Sequence, residues 1–164
     1  MRKILFLLLL FVGNLTLAQT EYDEMLKEYY KNTVPTISPA KLYAKMQKGE
    51  TIHILDTRMK KEYAVSHLQN AVHVGFLAFN TKDVSEIKKT ETIIVYCTIG
   101  ARSETIGEKI QENGYTNVYN LYGGIIEWVN KGFPVYDNEK KETQNVHVYS
   151  KDWGKWLKKG TAVY

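Results

Sequence analysis

Apolar positions along the chain alternate between two spacings. Tyr22, Met25, Leu26, Tyr29 and Tyr30 recur at helical intervals, which predicts an amphipathic helix packing on the surface of whatever domain follows. Ser38-Pro39 sets an N-cap ahead of a proline at the first helical position, and Leu42, Tyr43 and Met46 form an apolar face that Gly49 ends, so a second helix is expected there. Three runs rich in β-branched and aromatic residues come next: Thr51-Ile52-His53-Ile54-Leu55, Thr92-Ile93-Ile94-Val95-Tyr96 and Asn117-Val118-Tyr119-Asn120-Leu121. A shorter one, Ala71-Val72-His73-Val74, lies between the first two. The Thr92 run is apolar almost throughout, as a strand buried on both faces should be. Helical stretches are predicted over residues 60–65, 84–88, 103–112 and 125–130. Strand alternating with helix predicts an α/β domain of three layers, a parallel central sheet flanked by helices, over about residues 36–136.

The flanks read differently. Arg2-Lys3 followed by the apolar run from Ile4 to Val12, with Thr16-Leu17-Ala18 supplying small residues at a cleavage site, has the form of a secretory signal over residues 1–18. A retained membrane anchor is the weaker reading, because Gly13-Asn14 interrupts a run already short of the roughly 20 apolar residues a span needs. The expectation is an exported protein, periplasmic or secreted, that begins at Gln19 and keeps no membrane span after processing. Residues 19–35 then form a helical extension. Beyond Pro134 the charged stretch Asp137-Asn138-Glu139-Lys140-Lys141-Glu142 reads as a linker to a C-terminal extension, residues 137–164. Its Trp153 and Trp156 stand three apart on a prospective helical face, and the extension is expected to pack back on the domain.

Composition narrows the function classes. The 164 residues are 44% hydrophobic and 24% charged with 3 Pro and 11 Gly, which suits one globular domain and excludes collagen-like, disordered and coiled-coil chains. The formal charge of +4 falls to +2 once Arg2 and Lys3 are removed, too small for a nucleic-acid protein that lacks a dense basic stripe. A single cysteine, Cys97, cannot form an internal disulfide. It is either a small buried hydrophobe or a thiol kept for chemistry.

Its surroundings favour chemistry. Cys97-Thr98-Ile99-Gly100-Ala101-Arg102-Ser103 stands between the most apolar strand and a helix, and ligands of open parallel sheets bind beyond the carboxyl ends of strands. A loop there curls with its backbone N–H groups inward, and the next helix adds its positive end, so the segment makes an anion-binding nest. Gly100 supplies the freedom for the curl, and Arg102 braces the loop or adds charge. The same amides favour the thiolate, the nucleophilic form of cysteine.

This segment resembles the catalytic loop of a single-domain rhodanese, a sulfurtransferase family. Further matching motifs occur in order: Leu55-Asp56-Thr57-Arg58 with Glu62-Tyr63 and His67-Leu68, then Ala71; Ile94-Val95-Tyr96-Cys97 through Ser103; and Leu121-Tyr122-Gly123-Gly124-Ile125-Ile126-Glu127-Trp128 ahead of Gly132-Phe133-Pro134-Val135. Ser66 departs from the pattern, the family usually carrying Gly before the histidine. The resemblance implies transfer of a sulfane sulfur from a donor such as thiosulfate, through a persulfide on Cys97, to a thiophilic acceptor, cyanide or a thiol, with the amides of Thr98, Ile99, Gly100, Ala101, Arg102 and Ser103 holding the substrate charge. No cofactor or metal is implied. The partners expected are a small sulfur-containing anion, a thiol and a candidate protein acceptor of sulfur, with no nucleic acid. A low-turnover sulfur carrier or redox-sensing, partner-binding module is the alternative. Related phosphatases and arsenate reductases carry a longer loop than the four residues between Cys97 and Arg102.

Other residues have plainer readings. Asp56 and Arg58 are expected to support the site, Asp56 capping its turn and Arg58 pairing with Glu62. His67 is expected to be structural and Trp128 a core anchor seating the last helix behind Gly123 and Gly124. His53, His73 and His147 show no metal-ligand spacing with one another or with Cys97.

Overall fold

A computed structural model describes residues 21–164; the signal segment predicted at 1–18 lies outside the described residues. The chain divides into two compact units at Tyr30. What is described of the first is one helix, α1, over residues 21–29, as the helical spacing of its apolar residues predicts.

The second unit, Lys31–Tyr164, is built on a five-stranded parallel sheet. Its strands are β1 (Thr36–Ile37), β2 (Ile52–Asp56), β3 (Val72–His73), β4 (Thr92–Tyr96) and β5 (Val118–Leu121), in the order β1-β5-β4-β2-β3. The helices α2 (Pro39–Gln47), α3 (Lys60–Val65), α4 (Ala101–Glu112) and α5 (Gly124–Asn130) flank it. Strand β4 lies in the middle, paired along its length with β2 from Ile52↔Thr92 to Asp56↔Tyr96, and with β5 on its other side. Its residues Ile93, Ile94, Val95 and Tyr96 have no exposed surface, which is why both sequence positions of the pleat had to be apolar. Ile93 and Val95 pack with Ile106 and Ile110 of α4 and with Val34, Val118 and Tyr115. Gly107 lets α4 come close: a Cβ there would stand 3.0 Å from a Val34 methyl.

Three segments differ from the pattern expected. The short edge strand β1 is too brief to carry a periodic signal and exists through its pairing with β5. The helix expected over residues 84–88 is instead a 3₁₀-helix at Thr81–Val84. Asn80 Oδ1 accepts the Lys82 N–H at 2.9 Å and Asp83 returns to the Asn80 N–H at 2.8 Å, so the cap starts the turn ahead of the apolar residues. The charged stretch after Tyr136 is a hairpin turn and not an open linker: β6 (Val135–Tyr136) pairs antiparallel with β7 (Glu142–Thr143), and the Asp137 carboxylate accepts the N–H groups of Glu139 and Lys141. Beyond it, β8 (Asn145–His147) runs parallel to β9 (Thr161–Val163). The helix between them, α6 (Lys151–Gly154), is a single turn that ends before Trp156.

Behind the carboxyl ends of β2 and β4 lies a buried ionic cluster. Asp56 accepts from Arg58 Nε at 3.0 Å and Nη2 at 2.6 Å, and from the Tyr96 hydroxyl at 2.6 Å. Arg58 Nη2 also donates to the Ser66 carbonyl, and the Tyr96 oxygen accepts the Leu68 N–H. Burial lowers the Arg58 pKa, but the charge of Asp56 and its hydrogen bonds more than offset it and raise the guanidinium above its ordinary value. Burial and the neighbouring Asp56 raise the Tyr96 phenol well above its usual range, so it stays a donor. Ser66 has φ −165°, extended backbone open to any residue, so serine in place of the family's glycine strains nothing. The expected outcome of Asp56→Ala is a loss of about 3–5 kcal/mol, because it strands a buried arginine, against about 1.5–3 kcal/mol for Tyr96→Phe, which removes one charge-assisted bond. Urea unfolding followed by circular dichroism checks both.

Candidate active site

Strand β4 delivers Cys97 to the start of α4. The chain must reverse within three residues to enter that helix, and Gly100 does so at φ 106°, a left-handed conformation that glycine adopts without steric cost. The Gly100 N–H thereby turns back on the thiol and donates to Cys97 Sγ at 3.2 Å. The N–H groups of Ala101, Arg102 and Ser103 open α4 and, by helix geometry, have no carbonyl of their own helix to bond. The outer side of the loop rests on α5. Cys97 and Thr98 present their carbonyls to the N–H groups of Ile125 and Ile126, at 3.0 and 3.3 Å. Such contact requires Gly124, where a Cβ would come within 2.5 Å of the Cys97 oxygen. Asn120 Nδ2 donates to the Gly100 carbonyl at 2.9 Å, and the Ser103 hydroxyl donates to Asn120 Oδ1 at 2.7 Å.

Arg102 braces the loop. Its guanidinium grips Glu62 with two bonds, Nη1 to Oε2 at 3.0 Å and Nη2 to Oε1 at 2.9 Å, and Nη2 reaches Thr98 Oγ1 at 2.9 Å. The Thr98 hydroxyl in turn donates to Glu62 at 3.2 Å. Arg58 therefore does not pair with Glu62, contrary to the sequence expectation: it folds back on Asp56 two residues earlier, and the carboxylate it leaves is taken by the loop arginine. The reason is proximity. β2 ends at Asp56 with its carboxylate buried, and Arg58, in the turn just past the strand, meets that acid first. Asp56 does cap the turn, accepting the Arg58 N–H at 2.9 Å. Burial would raise the Glu62 carboxyl, but the hydrogen bonds and charge of Arg102, with the Met59 N–H, hold it below its ordinary value of 4.5.

The C-terminal extension reaches this same corner. Strand β8 packs against α3, and His147, 2% exposed, lies in the field of Glu62, Arg58 and Arg102. Burial pushes its imidazole below the usual range, the nearby Lys61 and arginines act in the same sense, and Glu62 opposes them. His147 Nδ1 accepts the Tyr149 N–H at 3.1 Å. That bond holds Tyr149 at φ 69°, a left-handed conformation costing a bulky residue about 1–2 kcal/mol. The Tyr149 ring stands over Arg102, 5.0 Å from its Cζ.

Of the sequence-predicted residues, Cys97 to Gly100 form the loop and Ala101 to Ser103 the first turn of α4, while Asp56 and Arg58 form the ionic cluster behind them. His67 turns Nδ1 to the Tyr63 carbonyl and stacks on that tyrosine. Trp128 is buried and donates to the Pro134 carbonyl at 2.9 Å. Among the described residues, no group of three or more His, Cys, Asp or Glu is assembled for a metal ion. Sequence reasoning missed Asn120, whose one signal was an amide inside an apolar strand, and it missed His147 and Tyr149, which carried no signal of where the tail would land.

The family described as the rhodanese-like domain matches residues 38–131. This chain belongs to the rhodanese-like family. Its rhodanese domain is 33% identical over 108 residues to a tRNA uridine(34) hydroxylase of Erwinia tasmaniensis, covering 60% of this chain and 31% of that protein. It is 29% identical over 100 residues to a putative sulfur carrier protein, YrkF, of Bacillus subtilis, covering 61% of this chain and 54% of that one. The chain thus spans about a third to a half of the length of these curated relatives. Among solved structures, the BH2092 protein of Bacillus halodurans superposes with a TM-score of 0.58 at 26% identity, over 70% of this chain and 85% of that one. A thiosulfate sulfurtransferase of Pseudomonas aeruginosa does so with 0.60 at 19% identity, over 76% of this chain and 23% of that one, a likeness of fold.

The stability of the loop is expected to depend on pH through Glu62. A carboxyl held low in the folded state stabilises it above the unfolded value, here 4.5, and loses that contribution as pH falls through the lower folded value. Glu62→Gln is therefore expected to cost about 2–3 kcal/mol near neutral pH, the gap from wild type narrowing below pH 4.5. Denaturant titrations across that range measure it.

Proposed function

We propose that the chain is a sulfurtransferase whose nucleophile is Cys97 and whose donor is a small sulfane-sulfur anion such as thiosulfate. The Cys97 thiolate attacks the outer sulfur; a new S–S bond forms, the bond to the sulfonate sulfur breaks with its electron pair, and sulfite leaves. A persulfide remains on Cys97. An acceptor, cyanide or a thiolate, then attacks the terminal sulfur, and the thiolate of Cys97 departs as leaving group. No external oxidant or reductant is consumed. The observation that carries this reading is the Gly100 N–H donating to Cys97 Sγ at the mouth of α4, since amides aimed at a sulfur that gains charge stabilise the persulfide as they do the thiolate. Because Arg102 is engaged by Glu62 and Thr98, the substrate charge falls to the backbone amides from Thr98 to Ser103.

A low-turnover sulfur carrier is the second reading. It draws support from Cys97 being only 1% exposed and from the likeness to a putative sulfur carrier protein. Intact mass after thiosulfate treatment tests the persulfide: the wild type is expected to gain one sulfur atom that cyanide removes, and Cys97→Ser none. No gain in the wild type, with Cys97 still alkylated, overturns the thiosulfate reading. Repeated turnover with cyanide identifies the enzyme, and a single round of loading the carrier.

We also propose that the protein is exported, which the Arg2-Lys3 pair and the apolar run from Ile4 to Val12 support. Expression of the full chain in a Gram-negative host is expected to yield a periplasmic protein beginning at Gln19; an intact N-terminus in the cytoplasmic fraction contradicts it.

A further inference from the structure

The rhodanese-like match ends at residue 131, yet the site does not. Residues beyond that point return to the catalytic loop by way of β8, and two of their side chains stand at its edge. His147 is buried in the field of Glu62, Lys61, Arg58 and Arg102, and the Tyr149 ring covers the guanidinium of Arg102. Arg102 itself lies in the field of Cys97. The loop beneath is closed: Cys97, Thr98, Ile99 and Gly100 are all buried.

The covering is of an uneven kind. Val146 and Val148 are fully buried and root the segment, and β9 pairs with β8 to hold it flat. Tyr149, by contrast, is 53% exposed, is held in a left-handed conformation by the His147 imidazole, and touches the site through a face-on contact with Arg102. A ring so placed is held by weak, directional contacts, and strain of this sort persists at functional sites because neighbouring structure enforces it. Arg102, gripped by Glu62 and Thr98, does not need the ring to stay in place. The ring's consequence is therefore steric, acting on what approaches the loop from that side.

We propose that Tyr149, positioned by His147, sets the acceptor specificity of Cys97 by admitting small thiophiles and hindering bulky thiols. This rests on the sulfur-transfer reading above and adds to it the size class of the acceptor. The transfer step is unchanged: the acceptor's sulfur or carbon attacks the outer sulfur of the persulfide and Cys97 leaves as thiolate. Tyr149 takes no proton and forms no bond; it decides which nucleophiles reach the in-line position.

Tyr149→Gly removes the ring and tolerates the left-handed backbone better than any other residue, so it keeps the path of the tail; Tyr149→Phe keeps the ring. Protein loaded from thiosulfate is mixed with cyanide or with glutathione, and loss of the persulfide is followed in a single turnover. The ratio of glutathione to cyanide rate constants is expected to rise at least about tenfold in Tyr149→Gly and to stay at the wild-type value in Tyr149→Phe, a discrimination within the range that steric fit supplies. An unchanged ratio in Tyr149→Gly overturns the proposal, as does an equal change of both rates. Alkylation of Cys97, the chain's single cysteine, supplies a readout independent of sulfur. The ratio of fluorescein-maleimide to iodoacetamide labelling rates is expected to rise in Tyr149→Gly, and an unchanged ratio counts against the role of the ring. Failure of the wild type to load from thiosulfate overturns the transfer reading instead, and the labelling ratio alone then decides for or against Tyr149.

Discussion

The carboxylate of Glu62 is the fixed point from which the geometry of the loop is set. It has no exposed surface, so it is tolerated only because every direction it faces supplies a donor: two nitrogens of Arg102, the Thr98 hydroxyl and the Met59 N–H. Those donors come from both ends of the loop and from the first turn of α3. Meeting the demand of one buried charge therefore docks the helix and the loop together. It also decides what Arg102 is for. An arginine beside an anion-binding nest invites the reading of a substrate ligand, but a guanidinium already gripped by a bidentate carboxylate is a brace.

Backbone approach completes what the ion pair begins. The loop carbonyls that point away from the nest are satisfied by the opening N–H groups of α5, and the contact is possible only because Gly124 presents no side chain to Cys97 and Thr98. With its carbonyls turned outward, the loop keeps its amides for the inside. Behind it, Asp56, Arg58 and Tyr96 lock the ends of β2 and β4 through a second buried ionic cluster. The site is thus preorganised from three directions: charge from α3, backbone from α5 and rigidity from the sheet.

The tail adds a fourth wall that the family match does not contain. Through Tyr149, whose ring lies 5.0 Å from the Arg102 Cζ, it reaches the Arg102 side of the loop, so part of the surface beside Cys97 is made by residues distant from it in sequence.

How much was legible in the chain depends on the range of the interaction. The α/β alternation, the burial of β4, the position of Cys97 between a strand and a helix, and the turn made by Gly100 were all readable. Each rests on hydrophobic period or on the conformational freedom of one residue, and those are local properties. The partners of Arg58 and Arg102 were not readable, because several acids lie within reach of each arginine in sequence and only the packing of α3 beside the loop hands Glu62 to Arg102. The edge strand β1 was hidden for a related reason, since two residues carry no period and become a strand only beside β5. Nor could the path of residues 145–149 be foreseen. Alternating apolar residues in a tail announce that it will pack, while the surface it finds is decided by shape and burial across the whole fold. The kind of domain and the place of Cys97 at a strand-to-helix turn follow from local patterns in the chain; which charges gather beside that loop and which tail residues reach it follow from the fold, because they depend on distances between segments that the order of residues does not encode locally.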